Sequence, residues 1–509
     1  MLQIKDLTII LREDNRVLLE DFSLNIGKGD KLALIGEEGN GKSILLKTIA
    51  KPESLEEYCE VKGEISANNE IIGYLPQTLA EEFYKISTMD YLHNVIDINY
   101  LDYNLFYRLL SELSLDENLI SHDVVLGNLS GGEKIKFLLL VEMLKQPTVL
   151  LLDEPSNDLD IESVQWLEGF MQELDIPLIF VSHDNELLSN VANRIVHLEL
   201  IYRRTQVKHT IVNSRYTDYV NNRDIFIENE TKRANKEQEE FAKKQERFRR
   251  LHDSVQHALR GTKPNNPEVG KNLKDKMHSV KSMEKNMDKE QSKLTQVPDY
   301  EEAIDIKFDD EVMVPNGKVI LEMSLPELRA GKKLLARNIN LDIIGPEKIC
   351  IIGKNGVGKS SLLKVLIEEL RSLNLKVGYM PQNYEELIDY DSNAIDFLTS
   401  NGTKSEHTEI STLLGSLKFK REDMLRRVGK LSGGQKAKVF FTKMIMDKAE
   451  VIVLDEPTRN LSPLSQPEII EALSNYNGCI IAVSHDRRFI DEVFSKVYEL
   501  DYEGLHRVR

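Results

Sequence analysis

The chain has 509 residues, a net charge of −18 and three cysteines, with 41% hydrophobic and 29% charged residues. That length exceeds a single core and predicts about three folding units, and the composition is that of a soluble globular protein. The acidic balance speaks against a surface that holds nucleic-acid phosphates everywhere, and no apolar run approaches the roughly 18 residues that a membrane-spanning helix needs.

The N-terminus, MLQIKDLTII, lacks the regions of a signal peptide, so a cytoplasmic location is expected. Cys59, Cys350 and Cys479 stand too far apart for a disulfide framework or a CxxC metal pattern, and are expected to pack in cores.

The first distinctive element is the apolar run KLALI, followed by GEEGNGKS (Gly36 to Ser43) and the helical pattern ILLKTIA. A strand, a glycine-rich turn and a helix in this order form a phosphate-binding loop. Gly36, Gly39 and Gly41 let the backbone approach closely, and the N–H groups at the helix start cradle phosphates. Lys42 reaches the β/γ oxygens and Ser43 ligates Mg²⁺. Next come GYLPQ, ending at Gln77, a stretch over 78–127 expected to be helical, and LSGGE (Leu129 to Glu133). In VLLLDEP (Val149 to Pro155) a buried strand carries Asp153 to its end near Mg²⁺. Glu154 beside it can polarise an attacking water. VSHD, with His183, closes the set.

From about residue 221 to 294 the composition shifts to Lys, Glu, Gln and Arg, the profile of long exposed helices. Residues 241–293 hold 14 Lys/Arg against seven Asp/Glu, a local charge of +7 in an acidic chain. Apolar residues recur in sevens. Ile227, Ala234, Phe241, Phe248 and Val255 form one seam position of a first arm, Leu251 and Ala258 the other, and Leu273, Val280, Met287 and Leu294 mark a returning arm. GTKPNNP (261–267) breaks the helix, which predicts an antiparallel hairpin whose first arm, about 37 residues long, reaches roughly 55 Å. Arg260, Lys263, Lys271, Lys274 and Lys276 near its tip are candidate RNA contacts, suited to backbone rather than sequence recognition.

Beyond this segment the whole set recurs in order: GKNGVGKS (Gly353 to Ser360), GYMPQ (to Gln382), LSGGQ (Leu431 to Gln435), VIVLDEP (Val451 to Pro457) and VSHD (Val483 to Asp486). The chain is a duplication. The second loop offers Gly353, Gly356, Gly358, Lys359 and Ser360, and the later motifs Asp455, Glu456 and His485.

LSGGE and LSGGQ, each between a Gln loop and a DEP strand, resemble the signature of ATP-binding cassette (ABC) ATPases over nearly the whole chain. The resemblance implies an α/β fold: two ABC-type nucleotide-binding domains, 1–215 with a helical subdomain at about 78–145, and 301–509, joined by a helical linker at 216–300. It implies ATP and Mg²⁺ as cofactors and head-to-tail packing within one monomer. One site then joins Lys42, Ser43, Gln77, Asp153, Glu154 and His183 to Ser432, Gly433 and Gly434. The other joins Lys359, Ser360, Gln382, Asp455, Glu456 and His485 to Ser130, Gly131 and Gly132. Gln77 and Gln382 become Mg²⁺ ligands, and the histidines γ-phosphate contacts.

The aromatic that stacks on adenine in this family is missing before either loop, so base preference stays open between ATP and GTP. Glu37 and Glu38 replace Lys354 and Asn355, which predicts weaker nucleotide binding at the first site by charge repulsion, unless the carboxylates point to solvent. Ser462 stands where the first half has Asp160.

Tandem cassettes joined by a charged helical linker resemble the ribosome-associated ABC-F ATPases. RYTDYV (Arg215 to Val220), KNLKDKMHSVKSMEK (Lys271 to Lys285) and TRNLSPLS point the same way, the last toward members that protect ribosomes from antibiotics. Expected partners are the ribosome, its rRNA and P-site tRNA, with no membrane partner; the alternative is a soluble ATPase subunit of a membrane exporter.

Overall fold

The computed structural model describes residues 2–67, 70–201, 206–261, 267–291, 308, 312–417 and 419–509. They divide into two compact units, one comprising 1–216 with 300–509 and the other 217–299.

The first unit holds two six-stranded sheets of identical strand order. One runs Ile72–Leu75, Val149–Asp153, Leu178–Val181, Lys31–Ile35, Arg194–Ile201 and Gln206–Val212. The other runs Val377–Met380, Val451–Asp455, Cys479–Val483, Lys348–Ile352, Lys496–Leu500 and Leu505–Arg507. Five strands of each are parallel and the last is antiparallel. VLLLD and VIVLD are buried at every residue, since helices cover both faces of a parallel sheet and leave no position for polar alternation. Antiparallel strands accompany each sheet: Leu2–Leu11, Val17–Ile26 and Cys59–Ser66 in the first half, Val319–Ala330 and Lys333–Ile344 in the second. The three cysteines are buried and free, in keeping with packing roles.

Between the Gln strand and the signature each half is helical: Thr88–Val95 and Tyr103–Glu112 in the first, Ala394–Leu398, Lys404–Ser416 and Arg421–Leu425 in the second. The signature helices, Gly131–Leu144 and Gly433–Met446, follow.

The second unit contains two long helices, Tyr216–Gly261 and Pro267–Gln291. The first has 46 residues, longer than expected, about 69 Å at 1.5 Å per residue. Ala234, Phe241, Val255 and Val280 are buried, Ile227, Phe248 and Met287 half-buried. Leu251 and Ala258 do not share the seam: both are exposed, and half-buried His252 takes the place instead. The reason is helical pitch. A straight helix repeats after eighteen residues, five whole turns, so residue 252 rather than 251 lies in line with Ala234. The side chain of Leu273 and all of Leu294 lie outside the described residues. Ion pairs one turn apart, Glu228–Lys232, Arg233–Glu237, Glu239–Lys243 and Glu246–Arg250, stabilise the exposed first helix. No helix among the described residues is long and apolar enough to cross a membrane.

Candidate active site

Each phosphate loop joins the central strand of its sheet to a helix, Lys42–Ala50 or Lys359–Ser372. Gly36 and Gly353 sit at φ 143° and 146°, where a Cβ would collide with the carbonyl oxygen of Leu198 or Leu500 on the neighbouring strand. Gly353→Ala is therefore expected to cost about 1–3 kcal/mol and to release nucleotide from the second loop. Thermal denaturation and nucleotide retention check this. In both loops the buried lysine folds back on loop carbonyls. Lys42 Nζ donates to Gly36 (2.7 Å) and Glu37 (3.0 Å), Lys359 Nζ to Gly353 (2.6 Å) and Lys354 (3.1 Å).

The carboxylate pairs stand at the ends of the buried strands. Ser43 Oγ donates to Asp153 Oδ1 at 2.9 Å, and Ser360 bonds Asp455. Burial raises the Asp153 pKa to about 6 and pushes Asp455 up as well. Asp455 Oδ1 is buried without a hydrogen-bond partner among the described residues, an open acceptor beside the Ser360 hydroxyl. A hydroxyl and a carboxylate would suit Mg²⁺, and Gln382 lines one cavity with Ser360 and Asp455. No cluster of three His, Cys, Asp or Glu that would form a cage of their own occurs among the described residues.

Glu154 and Glu456 both adopt φ 51°, a left-handed conformation held by bonds from their backbone N–H groups to Val181 and Val483. Their surroundings then diverge. Glu154 accepts from Gln77 Nε2 (2.8 Å) and Asn157 Nδ2 (2.5 Å) and faces His183 Nε2 at 3.1 Å. The other nitrogen of His183 bonds the carbonyl of Leu461 in the opposite cassette at 2.7 Å. Burial opposes ionisation of Glu154, but the hydrogen bond and charge of His183, with Lys42 and Asn157, bring its pKa down to about 2. Among the described residues the Glu456 carboxylate accepts a 3.3 Å bond from the backbone of His485, whose Nε2 lies 3.7 Å away and whose buried Nδ1 has no hydrogen-bond partner there. Burial, reinforced by Asp455, raises Glu456, while burial and Lys359 lower His485 to about 4.

A cavity of about 650 Å³ lies against the second phosphate loop. Its wall includes Gly356, Gly358, Lys359, Ser360, Gln382, Asp455, Glu456 and His485, with Gly131, Lys134 and Asp158 contributed by the first cassette. One motif set from each half thus meets at a composite site. Of the first signature, Gly131 lines the cavity. Ser130 instead caps its own helix through Glu133, donating to that carboxylate at 2.7 Å, and Gly132 packs against Ser163. Ala330, Lys333 and Leu335, from the stretch LPELRAGKKLL before the loop, line the same cavity. Leu335 in particular offers an aliphatic surface where an aromatic was sought; the hairpin of strands before the loop was the available signal.

The first loop meets the second signature differently. Glu38 accepts from the backbone N–H of Gly433, and Glu37 Oε1 accepts from Ser462 Oγ (2.8 Å) and Ser465 Oγ (2.5 Å). Glu37 is only 5% exposed, whereas its counterpart Lys354 faces solvent. Its carboxylate is thus aimed across the cassette boundary, not into water. Ser432 caps its helix with Gln435.

Two further groups bind the cassettes together. Arg487 pairs with Glu168 (2.9 Å) and Glu186 (2.6 Å) and approaches Asp184. Tyr216 Oη donates to Asn185 (2.7 Å), the Asn185 amide to Gln466 (2.6 Å), and the Gln466 amide to the carbonyl of His183 (2.9 Å). Tyr216 belongs to RYTDYV, a motif noted in the sequence without this contact. Of the candidate RNA contacts, Lys271 and Lys276 are exposed. Lys263 and the side chains of Arg260 and Lys274 lie outside the described residues.

Fold and site define a tandem-cassette phosphate-loop ATPase. A model of the ABC transporter family matches residues 19–157 and 336–459, so the chain belongs to that family. Its likeness runs to F-family members. It is 28% identical to ABC transporter F family member 5 of Arabidopsis thaliana, over 95% of this chain and 73% of that one. To the putative ATP-binding protein YdiF of Bacillus subtilis it is 29% identical, over 95% and 77%, and to ATP-binding cassette sub-family F member 3 of Homo sapiens 27%, over 97% and 70%. Among solved structures, the archaeal ribosome recycling factor aABCE1, in complex with ribosomal stalk protein aP1, shares the fold with a TM-score of 0.59 at 17% identity, covering 99% of this chain and 90% of that one. ABCE1 from a model of ribosome-bound archaeal Pelota and ABCE1 scores 0.57 at 17% identity, over 98% and 78%. The chain is an ATPase that uses ATP with Mg²⁺.

Proposed function

We propose that this ATPase acts in the cytoplasm on the ribosome. Its cassettes close on ATP, and the helical linker presents its basic end to rRNA and the P-site tRNA near the peptidyl transferase centre, protecting the ribosome from antibiotics. In this reading Glu456 is the general base and His485 a γ-phosphate contact. Lys359, Ser360, Gln382, Asp455 and the first signature hold the nucleotide and Mg²⁺, which neutralises phosphate charge when bound, and hydrolysis releases the protein. Glu154, His183, Lys42, Ser43, Gln77, Asp153 and the second signature form the partner site.

What supports this most directly is the path from Tyr216, first residue of the linker helix, through Asn185 and Gln466 to His183. Both cassettes contribute to it, and it ends on the residue at which the linker helix begins. The exposed lysines of the second helix and the local positive charge suit a polyanion. Proteins of the same fold were solved with ribosomal components.

A Glu154→Gln/Glu456→Gln chain incubated with ATP is expected to pellet with ribosomes. Adding Lys271→Glu and Lys276→Glu is expected to weaken this by about tenfold or more and to flatten its salt dependence. Pelleting that ignores the lysine changes would reject the linker as the RNA contact.

A further inference from the structure

We propose that the first nucleotide site accepts a nucleoside diphosphate and excludes the triphosphate, because Glu37 and Glu38 occupy the γ-phosphate's place at the opposing signature. The inference rests on the site roles given above and deepens them.

In a composite site the signature helix offers its N-terminal N–H groups and positive dipole end to the terminal phosphate. In the second signature the N–H of Gly433 is already taken by the Glu38 carboxylate. Glu37 lies beside it, buried, its oxygen held by the hydroxyls of Ser462 and Ser465. These are built partners, not incidental ones. Ser462 replaces Asp160 of the first half, and a carboxylate there would repel Glu37, whereas a hydroxyl donates to it. At the second site the corresponding loop residues are Lys354 and Asn355; the Asn355 amide donates to the carbonyl of Asp158, no carboxylate takes the place of Glu37 or Glu38, and the loop borders the open cavity.

A γ-phosphate entering the first site would have to displace two carboxylates of its own sign from their donors. Beyond Asn40, where the second loop has Val357, the Gly-Lys-Ser that serves the α- and β-phosphates is the same in both. Gly41, Lys42 and Ser43 keep the geometry of Gly358, Lys359 and Ser360, down to the lysine's bonds to two loop carbonyls. A diphosphate fits there and leaves the carboxylates in place. Independently, Glu154 at this site is tied to Gln77, Asn157 and His183, so it is not free to orient water.

The test counts nucleotides retained by the full chain with Mg²⁺ and without ribosomes, so that its outcome is separate from the ribosome reading. With a non-hydrolysable ATP analogue the natural chain should retain one molecule, and with ADP two. Exchanging the loop residues, Glu37→Lys with Glu38→Asn, should raise the analogue count to two and tighten its binding at the first site by about tenfold or more. Lys359→Ala, which disables the second loop, should leave a chain that retains ADP and no analogue. Two analogue molecules on the natural chain, or one on the Lys359→Ala chain, would overturn the proposal. So would an exchanged loop that binds two ADP but still one analogue.

Discussion

Glu456→Gln is expected to lower kcat for ATP hydrolysis by about 10²- to 10⁴-fold, and Glu154→Gln to leave it within about twofold. The two glutamates occupy equivalent ends of equivalent strands with the same backbone twist. They differ in what holds them. Glu456 lines the cavity of the second site, its carboxylate held among the described residues by one long bond from the backbone of His485. Burial, reinforced by Asp455, raises its pKa, the direction a general base needs. Glu154 is spent on three side chains, and His183 at 3.1 Å helps bring its pKa down to about 2, far from a useful base at neutral pH. Steady-state phosphate release from the two single variants measures this. Equal losses would mean that both sites turn over.

Arg487→Ala is expected to destabilise the closed pair of cassettes by about 1–3 kcal/mol. The guanidinium is 15% exposed and serves Glu168 and Glu186 directly, with Asp184 at 3.8 Å. Removing it leaves three carboxylates, one of them more than a third exposed, clustered without that counter-charge. Arg487→Lys should restore only part of the loss, because an ammonium cannot meet carboxylates in two directions with a planar fork. The denaturant midpoint of the three proteins decides it. An unchanged midpoint for Arg487→Ala would show that the cassettes are held by other contacts.

The sequence by itself determined whatever depends on local backbone chemistry. A strand, spaced glycines before Lys-Ser and a helix, found twice in the same motif order, marked the two phosphate loops, and Gly36 and Gly353 stand at positive φ as that loop requires. Unbroken apolar runs ending in Asp-Glu marked buried parallel strands and their carboxylates, and the repetition of both sets revealed two cassettes. The heptad apolar residues marked the linker helices, though a count in sevens misplaced Leu251, since register along a long helix depends on its actual pitch.

Only the tertiary structure decided what the halves do to one another. The charge of Glu37 was visible, but not its direction: it is buried against Ser462 and Ser465, more than four hundred residues away in sequence. Ser130 turned to its own helix cap, Leu335 became cavity wall, and Arg487 and Tyr216 gained partners from distant segments. Side-chain orientation at an interface is set by the donors and charges that the opposing surface supplies. Those donors are brought within reach only when both halves have folded and met.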